Sequence, residues 1–250
     1  MTVYPFEFTF EARERIVFER FRTGNVVRGA LGMALDADIF APHSESGPSG
    51  FGDQPRPFVL RVAALEGQAR EAGERFTVGV NSFIPAFEAF RKAFERVRWP
   101  LVEAREVPAV ELSLAPVPGG KITVQFLTPT ELKDGGDIVR EPRFDVLFKR
   151  ARDRVSVLGS LYQGGAPEAD YRELGEHAKL ITLTASRIEQ VEMERHSTRT
   201  GQTHSIGGFT GEADYEGELK ELVPWLKAAE WTGVGRLTVW GNGALCVVAR

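Results

Sequence analysis

The order of predicted strands and helices is the same in the two halves of this 250-residue chain, and this repetition limits the possible folds. Alternating apolar and polar residues predict strands, and apolar residues at helical spacing predict helices. In the first half the predicted elements are strand Val3–Phe10, helix Asn25–Leu35, strand Phe58–Ala63, strand Arg75–Phe83, helix Ala86–Val97 and strand Pro108–Val117.

The second half repeats this order after the turn-forming stretch PVPGG, residues 116–120. Its predicted elements are strand Lys121–Leu132, helix Glu141–Tyr162, strand Lys179–His196, strand Phe209–Gly217, helix Glu218–Trp231 and strand Arg236–Ala249, with an extra short helix at Tyr171–His177. The order strand-helix-strand-strand-helix-strand is that of the ferredoxin-like fold. The sequence therefore predicts an α+β protein of tandem ferredoxin-like (RRM-like) domains, 1–117 and 118–250, each an antiparallel sheet with helices on one face.

The composition limits the cellular compartments in which we expect the protein. No run of about 18 apolar residues is present, so we expect no membrane-spanning helix. The N-terminal MTVYPFEFTF lacks the basic and apolar regions of a secretion signal. The single cysteine, Cys246, excludes a disulfide within the chain and offers no cysteine cluster for zinc. We therefore expect a cytoplasmic protein with no metal site and no membrane partner.

Two basic segments contrast with the net charge of −4. Residues 143–154 hold five basic and two acidic residues, and residues 195–211 hold two arginines, two histidines and no acid. A protein that is acidic overall can still present a basic groove to a nucleic acid. The residues that we expect to contact phosphates are Lys149, Arg150, Arg195 and Arg199.

Glycines are concentrated near the C-terminus, in TGVGRLTVWGNG. Gly233, Gly235, Gly241 and Gly243 lie at the predicted junction of the last helix and the last strand. Backbone N–H groups of a glycine-rich turn can cradle a phosphate. The same glycines also suit a helix C-cap at Gly233 and a β-bulge at Gly241. Both interpretations stay open from the spacing alone.

The chain resembles the CRISPR repeat-RNA processing endoribonucleases of the RAMP superfamily, whose signature is a glycine-rich loop before the last strand. The four glycines match that loop. The segments that carry the resemblance are VVRGALGMAL (26–35), PRPFVLR (55–61), FTVGVNSF (76–83), FLTPTELK (126–133) and residues 208–243.

The resemblance implies a protein of two ferredoxin-like domains that binds a CRISPR repeat and cuts it once, without metal or another cofactor. Its partners would be CRISPR repeat RNA and, in addition, other subunits of a CRISPR effector complex. Arg28 and Arg236, which lie in the matching segments, are expected to bind RNA together with the four glycines.

Metal-free RNA cleavage uses the 2′-OH as a nucleophile on the adjacent phosphate, and it needs a base, an acid and nearby cations. Histidine suits proton transfer because it ionises near neutrality. In the family that the chain resembles, a catalytic histidine lies near the first helix or in the following loop, which makes His43 the first candidate. His196 and His204 flank the basic loop and suit phosphate contact as well as proton transfer.

Two other functions remain open from the sequence. One is a non-catalytic RAMP-type subunit that holds RNA in a CRISPR effector complex. The other is a ferredoxin-like protein that binds a small ligand or another protein, which the acidic net charge keeps in consideration.

Overall fold

The computed structural model describes residues 1–42, 54–196, 203–205 and 207–249, and gives only the backbone at residues 195, 196 and 203–205. The chain forms two compact units. Unit 1 comprises Met1–Leu112, Ser156–Pro167 and Val239–Gly241, and unit 2 comprises Ser113–Val155, Glu168–Thr238 and Asn242–Arg250. That residues 1–117 and 118–250 act as two domains stays a prediction.

Unit 1 is built on an antiparallel sheet with the strand order β3-β5-β1-β6. Its strands are β1 (Thr2–Glu11), β2 (Ile16–Val17), β3 (Phe58–Arg61), β4 (Ala69–Arg70), β5 (Arg75–Ser82), β6 (Leu101–Glu106) and β7 (Val110–Glu111). Its helices are α1 (Thr23–Leu31), α2 (Ala37–Phe40) and α3 (Phe87–Phe94). The short β7 pairs with the start of β1, and β2 pairs with β4 as a separate ribbon.

Alternating phenylalanines of β1 form the centre of the unit 1 core. Phe6, Phe8 and Phe10 are fully buried on one face of the sheet, and α3 packs Phe90 and Phe94 against them. The ring centroids of Phe8 and Phe94 are 4.5 Å apart. Apolar residues of α1 belong to the same core, so α1 and α3 cover the same face. Each buried ring contributes about 2–3 kcal/mol through the apolar area that it removes from water.

Unit 2 contains a second antiparallel sheet, with the order β11-β14-β8-β15. Its strands are β8 (Lys121–Thr130), β9 (Leu132–Asp134), β10 (Asp137–Val139), β11 (Thr182–Val191), β12 (Glu194–His196), β13 (Thr203–Ser205), β14 (Gly208–Glu216) and β15 (Leu245–Ala249). Its helices are α4 (Phe144–Tyr162), whose last turns belong to unit 1, α5 (Tyr171–Ala178) and α6 (Val223–Thr232).

Both sheets have the order of the ferredoxin-like fold, in which the first of the four main strands lies between the third and the fourth. The predicted fold class, α+β with two tandem ferredoxin-like modules, is thus confirmed. Two short antiparallel ribbons, β9–β10 and β12–β13, are additions to the second module. No helix in the described part of the chain is long and apolar enough to span a membrane.

Several element boundaries differ from the prediction, and three of these differences have a local cause. The edge strand of the first sheet is Leu101–Glu106. The predicted Pro108–Val117 forms only the short β7, because its prolines lack the N–H that a longer ladder needs. The helix predicted from residue 218 begins at Val223, since Pro224 occupies its first turn and initiates it. The last strand begins only at Leu245, and the residues before it form the glycine-rich loop.

Candidate nucleic-acid interface

The glycine-rich loop between α6 and β15 has a backbone conformation that favours glycine at all four predicted positions. The φ angles of Gly233, Gly235, Gly241 and Gly243 are 69°, 79°, 78° and 69°. This left-handed region costs other residues about 1–2 kcal/mol each. The loop therefore cannot continue the strand that the apolar sequence RLTVW predicted, and it turns back on itself.

Two of these glycines also allow close backbone contacts within unit 2. A Cβ atom at Gly243 would lie 1.9 Å from the carbonyl oxygen of Val234, and a Cβ at Gly235 would lie 2.3 Å from that of Glu131. The N–H of Val234 donates to the carbonyl of Gly243 at 2.9 Å, which closes the loop. The groups that come close to these two glycines are thus backbone carbonyls of the same chain.

Amide hydrogen bonds tie the loop to neighbouring elements. The Gly233 N–H donates to Ala229 at the end of α6 (2.8 Å), and the Gly243 N–H donates to Pro129 in β8 (3.0 Å). The predicted C-cap at Gly233 is confirmed. The predicted bulge at Gly241 is wrong, because this residue follows a 3₁₀ turn and lies outside any strand. The backbone N–H groups of Gly233 and Gly243 are therefore used in hydrogen bonds within the protein.

The end of β8 is the place where several predicted site residues of unit 2 meet. The Arg236 N–H donates to the Glu131 carbonyl at 3.2 Å, and the Arg236 guanidinium pairs with the Glu131 carboxylate at 2.5 Å. Glu131 is buried, whereas about half of the Arg236 side chain is exposed. The Arg150 guanidinium donates to the Lys133 carbonyl at 2.8 Å. The TELK segment, residues 130–133, is thus held from two sides.

Glu131 is the residue of this cluster that sequence reasoning missed. A single acid between two apolar strands gives no signal in the sequence, and only the fold reveals that it is buried beside an arginine. Its role in the cluster is to neutralise Arg236 and hold the start of the glycine-rich loop.

Most cations of the basic segment 143–154 are engaged in contacts within the fold. Arg143 pairs with two aspartates, and the guanidinium groups of Arg150, Arg152 and Arg154 donate to backbone carbonyl groups. Lys149 is exposed and forms no ion pair with any described residue. Of the two phosphate ligands predicted here, Lys149 therefore remains available to a ligand, and Arg150 has a structural role.

Arg28 lies in unit 1, between two aromatic rings. Its guanidinium is 5.1 Å from the centroid of Phe40 and 4.8 Å from that of Trp240. Two glycines of this region permit the packing: a Cβ at Gly24 would lie 1.5 Å from the Trp240 carbonyl oxygen, and one at Gly32 would lie 2.6 Å from the Phe40 ring. The cation–π contacts fix the orientation of the guanidinium.

The β12–β13 hairpin carries three of the predicted residues. In its register, Arg195 is directly opposite His204, and His196 is opposite Thr203. The two histidines are therefore on paired strands but are not cross-strand partners. His43 and Arg199 lie outside the described residues.

The described residues contain no group of three or more metal-ligating side chains. Within unit 2, the fold brings Gly235, Arg236 and Arg150 together around residues 130–133. The hairpin forms a separate group of candidates, and Arg28 belongs to unit 1.

Comparison with a family model decides the relationship. Residues 124–245 match the model of the CRISPR-associated endoribonuclease Cas6. This segment, just under half of the chain, is therefore similar to the Cas6 family. The match runs from within β8 to the start of β15 and so includes the glycine-rich loop and the TELK segment. The resemblance found in the sequence is confirmed, and so is the predicted enzyme class, since Cas6 proteins are endoribonucleases.

Solved Cas6 structures share the fold over the whole chain. A Cas6 product complex has a TM-score of 0.62 and 17% identity, with 100% of both chains covered. Thermus thermophilus Cas6 has a TM-score of 0.60 and 16% identity, with 98% of both chains covered. A partial Cas6-RT-Cas1–Cas2 complex has a TM-score of 0.64 and 12% identity, with 100% of this chain and 46% of the longer one covered. A search of curated proteins finds no significant match.

Proposed function

We propose that this chain cleaves CRISPR precursor RNA once within each repeat, without a metal ion. The observation that carries the proposal is the Cas6 family match, because it covers the glycine-rich loop and the segment to which the loop is bonded. The whole-chain likeness to a Cas6 product complex adds support at the level of fold.

The proposed reaction is attack by a ribose 2′-OH on the adjacent phosphate. The new bond joins the 2′-oxygen to phosphorus, and the bond from phosphorus to the 5′-oxygen breaks. The products are a 2′,3′-cyclic phosphate and a 5′-hydroxyl. A general base takes the proton of the 2′-OH, a general acid protonates the leaving 5′-oxygen, and a cation stabilises the charge that develops on the phosphoryl oxygens.

We assign the candidate roles as follows. His43 is the first candidate for the base or the acid, and His196 and His204 are alternatives that also suit phosphate contact. Arg195 lies opposite His204 in the hairpin, so a cation and a histidine are adjacent at the backbone level. Positively charged groups that serve phosphates raise affinity in a salt-dependent way.

The remaining predicted RNA contacts fall into two classes. Lys149, Arg195, Arg199 and Arg28 are proposed as direct phosphate ligands. Arg150, Arg236 and the four glycines are proposed to act by holding the glycine-rich loop and the TELK segment in place, as their internal hydrogen bonds and close contacts suggest.

Assembly with other CRISPR proteins is a further part of the proposal. A longer chain in the Cas6-RT-Cas1–Cas2 complex contains this fold within less than half of its length. The occurrence of the fold in such a complex supports the proposed association. A cytoplasmic location stays a prediction.

The test is incubation of the protein with a repeat-containing RNA in excess EDTA. We expect a single cut within the repeat and a 5′-hydroxyl product that polynucleotide kinase labels without prior phosphatase treatment. A scrambled RNA of the same length is the control. Binding of the repeat without cleavage would instead favour the non-catalytic RAMP subunit, and cleavage only after addition of a divalent metal would refute the metal-free mechanism.

A further inference from the structure

A cleft of about 480 Å³ lies in unit 1, outside the elements that carry the proposed site. Its lining includes three arginines, Arg13, Arg15 and Arg98, and one acid, Glu14. Cavities of this size accommodate small organic ligands or a short stretch of a polymer. The lining carries two more positive than negative charges, whereas the chain as a whole is acidic.

The strand pairing of the sheet places these residues side by side. Phe10 near the end of β1 is opposite Leu101 at the start of β6, and the Glu11 N–H donates to the Pro100 carbonyl at 3.1 Å. The residues that follow β1 therefore lie next to those that precede β6. The pairing of Ile16 with Arg70 in the β2–β4 ribbon then holds the other side of the cleft.

The floor of the cleft is part of the hydrophobic core. Trp99 is only 5% exposed and packs edge-on against Phe10 and Phe76, at centroid distances of 6.0 and 5.5 Å. Ile16, the other floor residue, is also buried. The floor is therefore fixed by packing, and it offers no open aromatic face on which a base could stack.

Two of the three arginines are available to an anion. Arg13 and Arg98 are exposed, and neither forms an ion pair with a carboxylate of the described residues. The Arg98 guanidinium lies 5.1 Å from the Trp99 ring centroid, which restricts its motion. Arg15 pairs with Glu71 at 3.2 Å, and both of these side chains are mostly exposed.

We propose that this cleft binds the phosphodiester backbone of single-stranded RNA, with Arg13 and Arg98 as the phosphate ligands. The choice of RNA as the source of the phosphates rests on the proposed function. The charge and the geometry of the cleft are observed independently of that function. Because charge supplies the recognition and no aromatic face is open, binding here is independent of base sequence. The cleft would hold RNA beyond the segment that is cut.

The experiment measures the affinity of the full chain for a labelled single-stranded RNA without a repeat sequence, over a range of salt concentrations. We expect the Arg13→Ala/Arg98→Ala variant to bind roughly 10-fold more weakly at low salt, and its salt slope to fall by about 1.4, since each lost phosphate contact removes about 0.7. The double lysine variant keeps both charges and should bind nearly as well as the unmodified protein.

Arg105→Ala is the matched control, because it removes one exposed arginine of the same unit that pairs with Glu7 outside the cleft. Thermal unfolding of every variant shows whether it is folded. If the double alanine variant is folded and its affinity and salt slope equal those of the control, the proposal is wrong. If the double alanine variant loses affinity and the unmodified protein does not cut repeat RNA, the cleft proposal is supported and the proposed cleavage function is refuted.

Discussion

Lys149 and Arg150 are adjacent cations on α4 with different surroundings. Lys149 is exposed and has no ion-pair partner among the described residues, whereas Arg150 is bonded to the Lys133 carbonyl. We expect Lys149→Ala to weaken RNA binding several-fold and to leave the free energy of unfolding within about 0.5 kcal/mol. Arg150→Ala should lower that free energy by about 1–2 kcal/mol, because a charge-assisted hydrogen bond is lost.

Urea unfolding and RNA titrations over salt concentration measure the two effects separately. Lys149→Arg is the control, since it keeps the charge. The assignment of Lys149 as a phosphate ligand would be wrong if its alanine variant bound RNA with an unchanged salt slope.

The distinction between these neighbours could not be predicted from the sequence. The sequence correctly locates a cluster of five cations in residues 143–154. Their partners come from distant or non-obvious positions: the carbonyl groups of Lys133, Tyr171 and Thr232 accept from the cluster. Charge counts describe the content of a segment, whereas availability to a ligand depends on the tertiary contacts.

At the level of elements, Gly243 of the glycine-rich loop can be compared with Gly135, which lies between β9 and β10 of the same unit. Gly243 and Gly135 have similar φ angles, 69° and 60°, but a Cβ at Gly243 would clash with the Val234 carbonyl, and one at Gly135 would contact nothing within 4 Å. Gly135→Ala should cost about 1–2 kcal/mol for the left-handed conformation alone. Gly243→Ala should cost about 3 kcal/mol or more, because the loop must also move.

Denaturant unfolding of the two variants provides the measurement, and RNA binding provides a second readout. If the loop shapes the RNA site, Gly243→Ala should also weaken repeat binding at a temperature where it is folded. Equal stability losses in the two variants would contradict the close contact that the fold places at Gly243.

The first helix is capped by a residue from outside its own sequence. Glu66 accepts a hydrogen bond from the Phe21 N–H, and the backbone amides of Arg22 and Thr23 also face its carboxylate. Partial burial raises the pKa of Glu66, and these donors offset only part of the rise. When the pKa of a carboxyl is higher in the folded than in the unfolded protein, the free energy of unfolding falls as pH rises from the ordinary pKa through the raised one.

We therefore expect Glu66→Gln to remove one component of the decline in unfolding free energy over that mildly acidic range. The measurement is urea unfolding of both proteins at several pH values from below the ordinary pKa of glutamate to neutrality. Parallel stability curves for the two proteins would show that Glu66 does not titrate in this range.

The elements themselves were predictable where their periodicity is strong. Strands β1, β5 and β8 and helix α4 lie close to the predicted positions, since alternation or helical spacing continues through each of them. The edge strand Leu101–Glu106 was missed, because only two of its six residues are partly buried. The last strand was predicted too long, because residues 237–240, three of which are apolar, form a turn between the flanking glycines.

At the scale of the whole molecule, element order sufficed for the sheet topology. Sequential strands that alternate with helices have few antiparallel arrangements, and both sheets adopt the ferredoxin-like one. The candidate site was predictable only in part. The glycine-rich loop was found by its composition, whereas the buried Glu131 beside Arg236 depends on the proximity of residues 105 positions apart.

Assignment of the catalytic histidine is the remaining prediction for the whole molecule, and single-turnover cleavage of repeat RNA in EDTA tests it. If His43 is the acid or the base, His43→Ala should slow cleavage roughly 10²- to 10⁴-fold with nearly unchanged affinity, because proton transfer acts on the transition state. The pH dependence near neutrality should disappear with it, since histidine ionises there. His196→Ala and His204→Ala are the matched controls on the hairpin, and as phosphate contacts they should raise the dissociation constant more than they slow the cut. Full activity of His43→Ala together with a loss of the pH dependence in either hairpin variant would transfer the proton-transfer role to that histidine.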